Sequence, residues 1–279
     1  GGVSRFVELS PQKVFHSHQT FHLHPLGRAL VISKRPEASI QVVLGGHIDT
    51  VYPINSPFQK IEEMSPEIWK GPGVADMKGG IAILLTALEA LERSPFAEKI
   101  GWEVIINPDE EIGSPGSSFL FEEAAQRHHC GLIFEPSFPD GAFVNERKGS
   151  ATYTIVIKGK AAHVGRDYTK GRSAVFALAR LINQIDSLRN DPDLIANVTD
   201  IEGKGPVNIV PPFASCRVNL RSSHTKSLKQ ASMHLYQIAK ECEEEGITIE
   251  VDQHSFRLPK PFDSNTQFLF QAYAHCADI

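Results

Sequence analysis

An α/β fold in two parts is what this sequence predicts: a mostly parallel sheet with helices on both faces, and a smaller α+β unit inserted after it. Three observations predict it. Short β-branched runs alternate with a helix-period segment through the first half, and near Gly149 the order changes to strand, helix, strand, strand, helix, strand. The third is size: 279 residues, 41% hydrophobic and 22% charged, suffice for two moderate cores and exclude a disordered or fibrous chain.

Residues 29–34 and 40–46 are apolar runs bounded by turn residues and read as buried strands, the second leading straight into His47. A loop through Pro53, Pro57 and Pro66 follows. Residues 79–92, rich in Ala and Leu with apolar positions at helical spacing, predict a helix. Strands are predicted over 102–107 and 131–134, each ending in acidic residues. In the second part the spacing predicts strand 151–158, helix 172–188, strands 196–203 and 214–220, helix 226–245 and strand 248–253. That βαββαβ order is the ferredoxin-like pattern. The expected division is therefore a catalytic domain over 1–148, an inserted lid or dimerisation domain over 149–261, and a return to the first domain over 262–279.

A net charge of −5 without a dense Lys/Arg stripe gives no footprint for nucleic acid or an anionic membrane surface. No apolar run approaches the ~20 residues of a membrane span. Cys130, Cys216, Cys242 and Cys276 are scattered and form no C-x-x-C pair, so they read as buried or free thiols in a cytoplasmic protein. Both ends look cut: the chain opens on Gly1-Gly2, and it stops at Ile279 inside a helix-like stretch with no cap.

Chemistry gathers at the predicted strand ends, where ligands sit in open α/β sheets. His47 closes one strand and Asp49 lies two residues on, on the same side of an extended chain, where it could orient the imidazole. Taken alone this His also fits a satisfied core residue. Asp76 lies in a Gly-rich turn, residues 71–80, whose spacing matches no phosphate loop. It reads either as a helix-terminus carboxylate or as one held for metal ions. Asp109, Glu110 and Glu111 follow a strand and fit either a solvated loop or a division of labour, in which one glutamate binds metal and its neighbour takes a proton from water. Glu135 follows the next strand. One His and several carboxylates at successive strand ends suit zinc, with cobalt or manganese as substitutes.

Together the stretches GGHIDTVYP (45–53), GPGVADMKGG (71–80), NPDEEIGSPGS (107–117), FEPS (134–137), GKAAHVG (159–165) and VNIVPPFASCRVNLR (207–221) resemble the dizinc exopeptidase and deacylase family. That family includes carboxypeptidase G-type glutamate carboxypeptidases, acetylornithine deacetylase, succinyl-diaminopimelate desuccinylase, aminoacylase and carnosine dipeptidases. The match spans nearly the whole chain. The resemblance implies that His47 and Glu135 hold one of two Zn²⁺ ions per subunit, Glu111 the other, and that Asp76 bridges them. It implies Glu110 as general base, Asp49 as the group orienting His47, and a cis peptide after Asp76. His163 would stabilise the tetrahedral intermediate, often across a homodimer interface formed by the lid, and Asn208 with Arg221 would hold a substrate carboxylate.

The implied reaction is hydrolysis, through a dimetal-bridged water, of an amide next to a free carboxylate in a small peptide or N-acyl amino acid, as by a carboxypeptidase, dipeptidase or deacylase. One further ligand, a histidine near the C-terminus of full-length members, is implied beyond Ile279, since His254 and His275 do not stand in its context. The competing reading is a non-catalytic binding or dimerisation module with an incomplete metal site. Phosphoester hydrolysis is disfavoured by Asn208 and Arg221.

Overall fold

The computed structural model describes residues 2–16 and 20–277, so Gly1 and Ile279, named above for the chain ends, lie outside the described residues. The chain divides into two compact units, residues 1–142 and 143–279.

The first unit runs β1 (Val3–Glu8), β2 (Gln12–His16), β3 (Thr20–His24), β4 (Arg28–Lys34), β5 (Ile40–His47), β6 (Glu62–Ser65), β7 (Ile68–Lys70), α1 (Gly80–Glu92), β8 (Ile100–Asn107), α2 (Ser118–Arg127) and β9 (Cys130–Ile133). Its main sheet has the order β1-β4-β8-β5-β9. β8, β5 and β9 pair in parallel, β4 runs against β8, and β1 against β4, so β4 alone is reversed. Strand alternation sends neighbouring residues to opposite faces. Val43 and Ile105 meet Leu120 and Ala124 of α2 on one face, while Leu44, Val104 and Ile106 meet Leu84 and Leu88 of α1 on the other.

The hairpin β6–β7 stands where a plain loop was expected, with Pro66 in its turn rather than in a strand, as its missing N–H requires. Behind the sheet the Glu92 carboxylate accepts from Trp102 Nε1 at 2.9 Å and pairs with Lys34 and Arg35. Those donors hold Glu92 well below the usual carboxylate range, Arg35 first among them.

The second unit runs β10 (Gly149–Lys158), α3 (Val164–Asp167), α4 (Ala174–Ser187), β11 (Leu194–Glu202), β12 (Phe213–Ser222), α5 (Thr225–Glu241), β13 (Thr248–Arg257) and α6 (Ser264–Ala277). Its sheet is antiparallel throughout, in the order β11-β12-β10-β13. Tyr153, Ile155 and Ile157 of β10 and Cys216, Val218 and Leu220 of β12 share a core with Leu181 of α4 and Leu235 of α5. Burial pushes the Cys216 thiol up to about 12, which suits a packing role.

Two helix bounds differ from expectation. α4 starts two residues late because the Arg172 backbone pairs with Lys160 and the Ser173 side chain caps Phe176 N–H at 3.2 Å. α5 stops at Glu241 because Glu244 pairs with Ile247 across Gly246, which has φ +78. Segment 143–148 and α6 belong to this unit: Arg147 pairs with Lys260, and the Phe143 and Tyr273 rings meet at 5.2 Å. Among the described residues no helix is long and apolar enough to cross a membrane.

Candidate metal centre

Parallel pairing brings three strand ends side by side. His47 ends β5 opposite Asn107 at the end of β8. Glu135 follows β9 by two residues, with Phe134 N–H donating to Gly45 O at 3.3 Å. Asp76 arrives from the other direction, in a wide turn over Val74–Gly79 that precedes α1, and its peptide bond to Met77 is cis. Two glycines allow this approach. Gly73 holds φ +73, a conformation side chains avoid, and a Cβ on Gly80 would sit 1.8 Å from Phe134 O. The Met77 sulfur, beneath the turn, lies 3.1 Å from His47 N.

His47 is only 1% exposed. Its Nδ1 lies 3.1 Å from Asp49 O and 3.2 Å from Asp49 Oδ1. Both are acceptors, as are the carboxylate oxygens that face Nε2, so the ring is flanked by acceptors on both sides; with a cation held among the carboxylates, Nδ1 would keep its hydrogen and Nε2 would be the ligand atom. Nε2 is 3.0 Å from Asp76 Oδ1 and 3.6 Å from Glu135 Oε1. Asp49 has a second partner, since its Oδ2 accepts Glu111 N–H at 2.8 Å. Asp49 Oδ1 is buried and makes no hydrogen bond, although His47 Nδ1 is within ion-pair reach.

Two groups of three have ligand atoms within 4.8 Å of one another: His47, Glu110 and Glu135, and His47, Asp76 and Glu111. All five residues expected at the centre are thus brought together, with Glu110 as near as the carboxylates expected to bind. Burial, then the charge of Asp76, raises the Glu111 carboxyl. Burial also raises Glu135, to about 6, although His47 pulls the other way. His47 itself is raised despite burial, because Glu135 and Asp49 favour its charged form. One imidazole and four carboxylates crowded in this way make a donor set that a divalent cation fits.

In the second unit His163 precedes α3, and its Nδ1 accepts Gly165 N–H at 3.1 Å. It pairs with Ile209, and Val164 N–H donates to Asn208 O at 2.9 Å. These contacts extend the β10–β12 ladder past its Lys158 and Phe213 end, whereas Arg221 pairs with Ser150 at the opposite end. Eight residues at ~3.3 Å each put about 26 Å of strand between Phe213 and Arg221. Within one chain, therefore, His163 and the Asn208 backbone come together and Arg221 does not join them. Arg221 Nε instead donates to Asn219 Oδ1 at 2.9 Å.

The sequence pattern did not single out Asp109, which turns inward and is 1% exposed while Glu110 and Glu111 stay half-buried. Nothing in a run of three acids separates its first member from the other two.

An α/β chain with an imidazole and carboxylate cluster at the carboxyl ends of its parallel strands carries a candidate metal site where such sheets bind their ligands. The profile of Peptidase family M20/M25/M40 matches residues 43–278, and the chain belongs to that family. It is 30% identical over 209 residues to carboxypeptidase G2 of Pseudomonas sp. (strain RS-16), covering 72% of this chain and 49% of that protein. It is also 30% identical over 166 residues to acetylornithine deacetylase of Erwinia tasmaniensis, covering 57% of this chain and 41% of that one. The chain spans about half the length of the curated relatives it matches. In fold it resembles a tripeptidase from Staphylococcus aureus, with a TM-score of 0.66 at 21% identity over 91% of this chain and 69% of the other. A second likeness is an M20 family metallo-carboxypeptidase from Sulfolobus solfataricus, with a TM-score of 0.63 at 15% identity over 84% and 68%.

Proposed function

We propose that this chain serves a metal-dependent hydrolase that cleaves an amide next to a free carboxylate, in a small peptide or an N-acyl amino acid. The observation that carries this reading is the convergence of His47, Asp76, Glu110, Glu111 and Glu135 within one cluster. His47 and Glu135 would hold one ion, Glu111 the other, and Asp76 both. Mixed imidazole and carboxylate donors suit Zn²⁺, with Co²⁺ or Mn²⁺ able to substitute. Bound there, the ions would polarise the scissile carbonyl and make water acidic enough to attack near neutral pH.

The chain's own groups do the rest. Glu110 takes a proton from the attacking water and delivers it to the leaving amine. Asp49 keeps the His47 ring in one tautomer and ties down the Glu111 backbone. His163, with Nδ1 accepting from Gly165, carries its hydrogen on Nε2 and so offers a donor to a developing oxyanion. Asn208 and Arg221 recognise the substrate carboxylate.

The antiparallel sheet order β11-β12-β10-β13 with its βαββαβ succession supports a ferredoxin-like lid over 149–261, whereas the assignment of 1–148 and 262–279 to one catalytic domain rests on the family resemblance alone, since 143–148 and 262–279 pack in the second compact unit. Separation of Asn208, which precedes β12, from Arg221 near its end supports a homodimer through that lid, each copy supplying one of the two. Four free thiols suit a cytoplasmic setting.

Counting bound zinc on the full-length protein and screening its hydrolysis of dipeptides and N-acyl amino acids tests the proposal. Two equivalents of zinc with turnover on such amides is the expected result. A chain that binds no metal and hydrolyses none of them would leave the binding-module reading in its place.

A further inference from the structure

The run Asp109-Glu110-Glu111 is split by the fold. Asp109 is buried, and its carboxylate accepts four hydrogen bonds. Oδ2 takes Gly116 N–H at 2.8 Å and Ser117 N–H at 3.1 Å, while Oδ1 takes Asn107 Nδ2 at 3.0 Å and Ser117 Oγ at 2.5 Å. Asn107 Nδ2 also reaches Ser117 Oγ at 2.9 Å and Ser114 Oγ at 3.3 Å. The backbone closes the same circle, with Ser114 N–H donating to Asp109 O and Gly113 N–H to Glu110 O, both at 2.7 Å. Loop 107–117 is therefore wound about one buried carboxylate.

A buried carboxylate is costly unless hydrogen bonds replace its water, and here two backbone and two side-chain donors do so. The geometry is then over-determined. Asn107 is held at the end of β8, where its O accepts Ile48 N–H at 3.0 Å beside His47, and Gly116 and Ser117 are held at the start of α2. Glu110 and Glu111 span the space between these two anchors, and their backbone has little freedom left.

We infer that Asp109 is the positioning residue that aims Glu110 and Glu111 at His47. This rests on the metal-site reading given above. A carboxylate meets all four contacts as an acceptor. In Asp109→Asn one oxygen becomes an NH₂, which either opposes the two backbone N–H groups or forces the Asn107 amide to flip, so the hydrogen bonding of the loop changes in either orientation.

The test is a Co²⁺ titration of the full chain, read by the visible absorption of the bound ion and accompanied by thermal unfolding. Asp109→Asn should weaken Co²⁺ binding roughly ten- to a hundredfold and alter the absorption band. Ser117→Ala removes one of the four donors and keeps the fold, so it should shift affinity and band in the same direction by less. Tyr153→Phe, which removes the buried 2.6 Å contact with Ser232 in the other unit, should lower the melting temperature and leave both Co²⁺ readouts unchanged.

Wild-type affinity and band in Asp109→Asn overturns the inference. If that variant does not fold, the same result in Ser117→Ala overturns it. His47→Ala separates the two levels: Co²⁺ binding that survives it removes the metal-site reading, whereas binding lost in His47→Ala but intact in the Asp109 and Ser117 variants removes the positioning role alone.

Discussion

Glu110 and Glu111 are neighbours in sequence with different surroundings. The Glu111 N–H is tied to Asp49, and its carboxyl is raised by burial and by Asp76, whereas Glu110 belongs to the group with His47 and Glu135. A general base contributes roughly 10²- to 10⁴-fold to rate. Glu110→Gln should accordingly bind the same equivalents of zinc as the parent, by metal analysis, with amide hydrolysis down by about that factor. Near-normal turnover with metal retained would move the base elsewhere. The Asp49 carbonyl facing His47 Nδ1 is a matter of backbone geometry that residue types alone do not express.

At the scale of elements, the start of helix α1 and the residue that follows strand β9 touch where no side chain fits. Propensity favours Ala over Gly inside a helix by about 1 kcal/mol. A Cβ on Gly80 would collide with Phe134 O, next to Glu135, so Gly80→Ala should instead destabilise by about 1–3 kcal/mol and loosen metal binding. Urea midpoints and zinc affinity check this, and a stabilised variant would show that the contact yields.

In the second sheet, Thr154 of β10 meets His254 of β13 at 2.6 Å. Burial, with help from Arg217, lowers His254 below the ordinary 6.5. The folded form therefore resists protonation more than the unfolded chain does. Its share of stability is complete above the ordinary value and is lost as pH falls through the depressed one. His254→Gln should flatten the fall in melting temperature between about pH 7 and pH 5 relative to the parent. Parallel curves for the two proteins would assign that fall to other groups.

For the whole molecule, metal and a second copy are the two terms outside a single chain. A ligand that binds only the folded state stabilises it by about 2.7 kcal/mol at a hundredfold excess over its dissociation constant. Zinc should raise the melting temperature of the parent and leave that of His47→Ala unchanged. With Asn208 before the start of β12 and Arg221 near its end, the proposed homodimer makes a separate prediction. Asn208→Ala and Arg221→Ala chains, each inactive alone, should recover hydrolysis when mixed and allowed to exchange subunits. No recovery in exchanged mixtures would return both roles to one chain.

Much of this protein can be read without coordinates. Hydrophobic period exposes the strands and helices because burial on one face or both imposes it, and the strands that carry the centre, over 40–47, 100–107 and 130–133, lie within three residues of their expected bounds. The cluster is legible because its residues recur at successive strand ends, and parallel pairing of adjacent strands makes sequence order into spatial proximity. What only the tertiary structure decided are contacts between segments far apart in the chain: the inward turn of Asp109, the bond from Asp49 to Glu111, the approach of Gly80 to Phe134, and the separation of Asn208 from Arg221. Each depends on register and loop closure, which sequence pattern leaves undetermined because hydrogen bonding and close packing are satisfied only once both partners are in place.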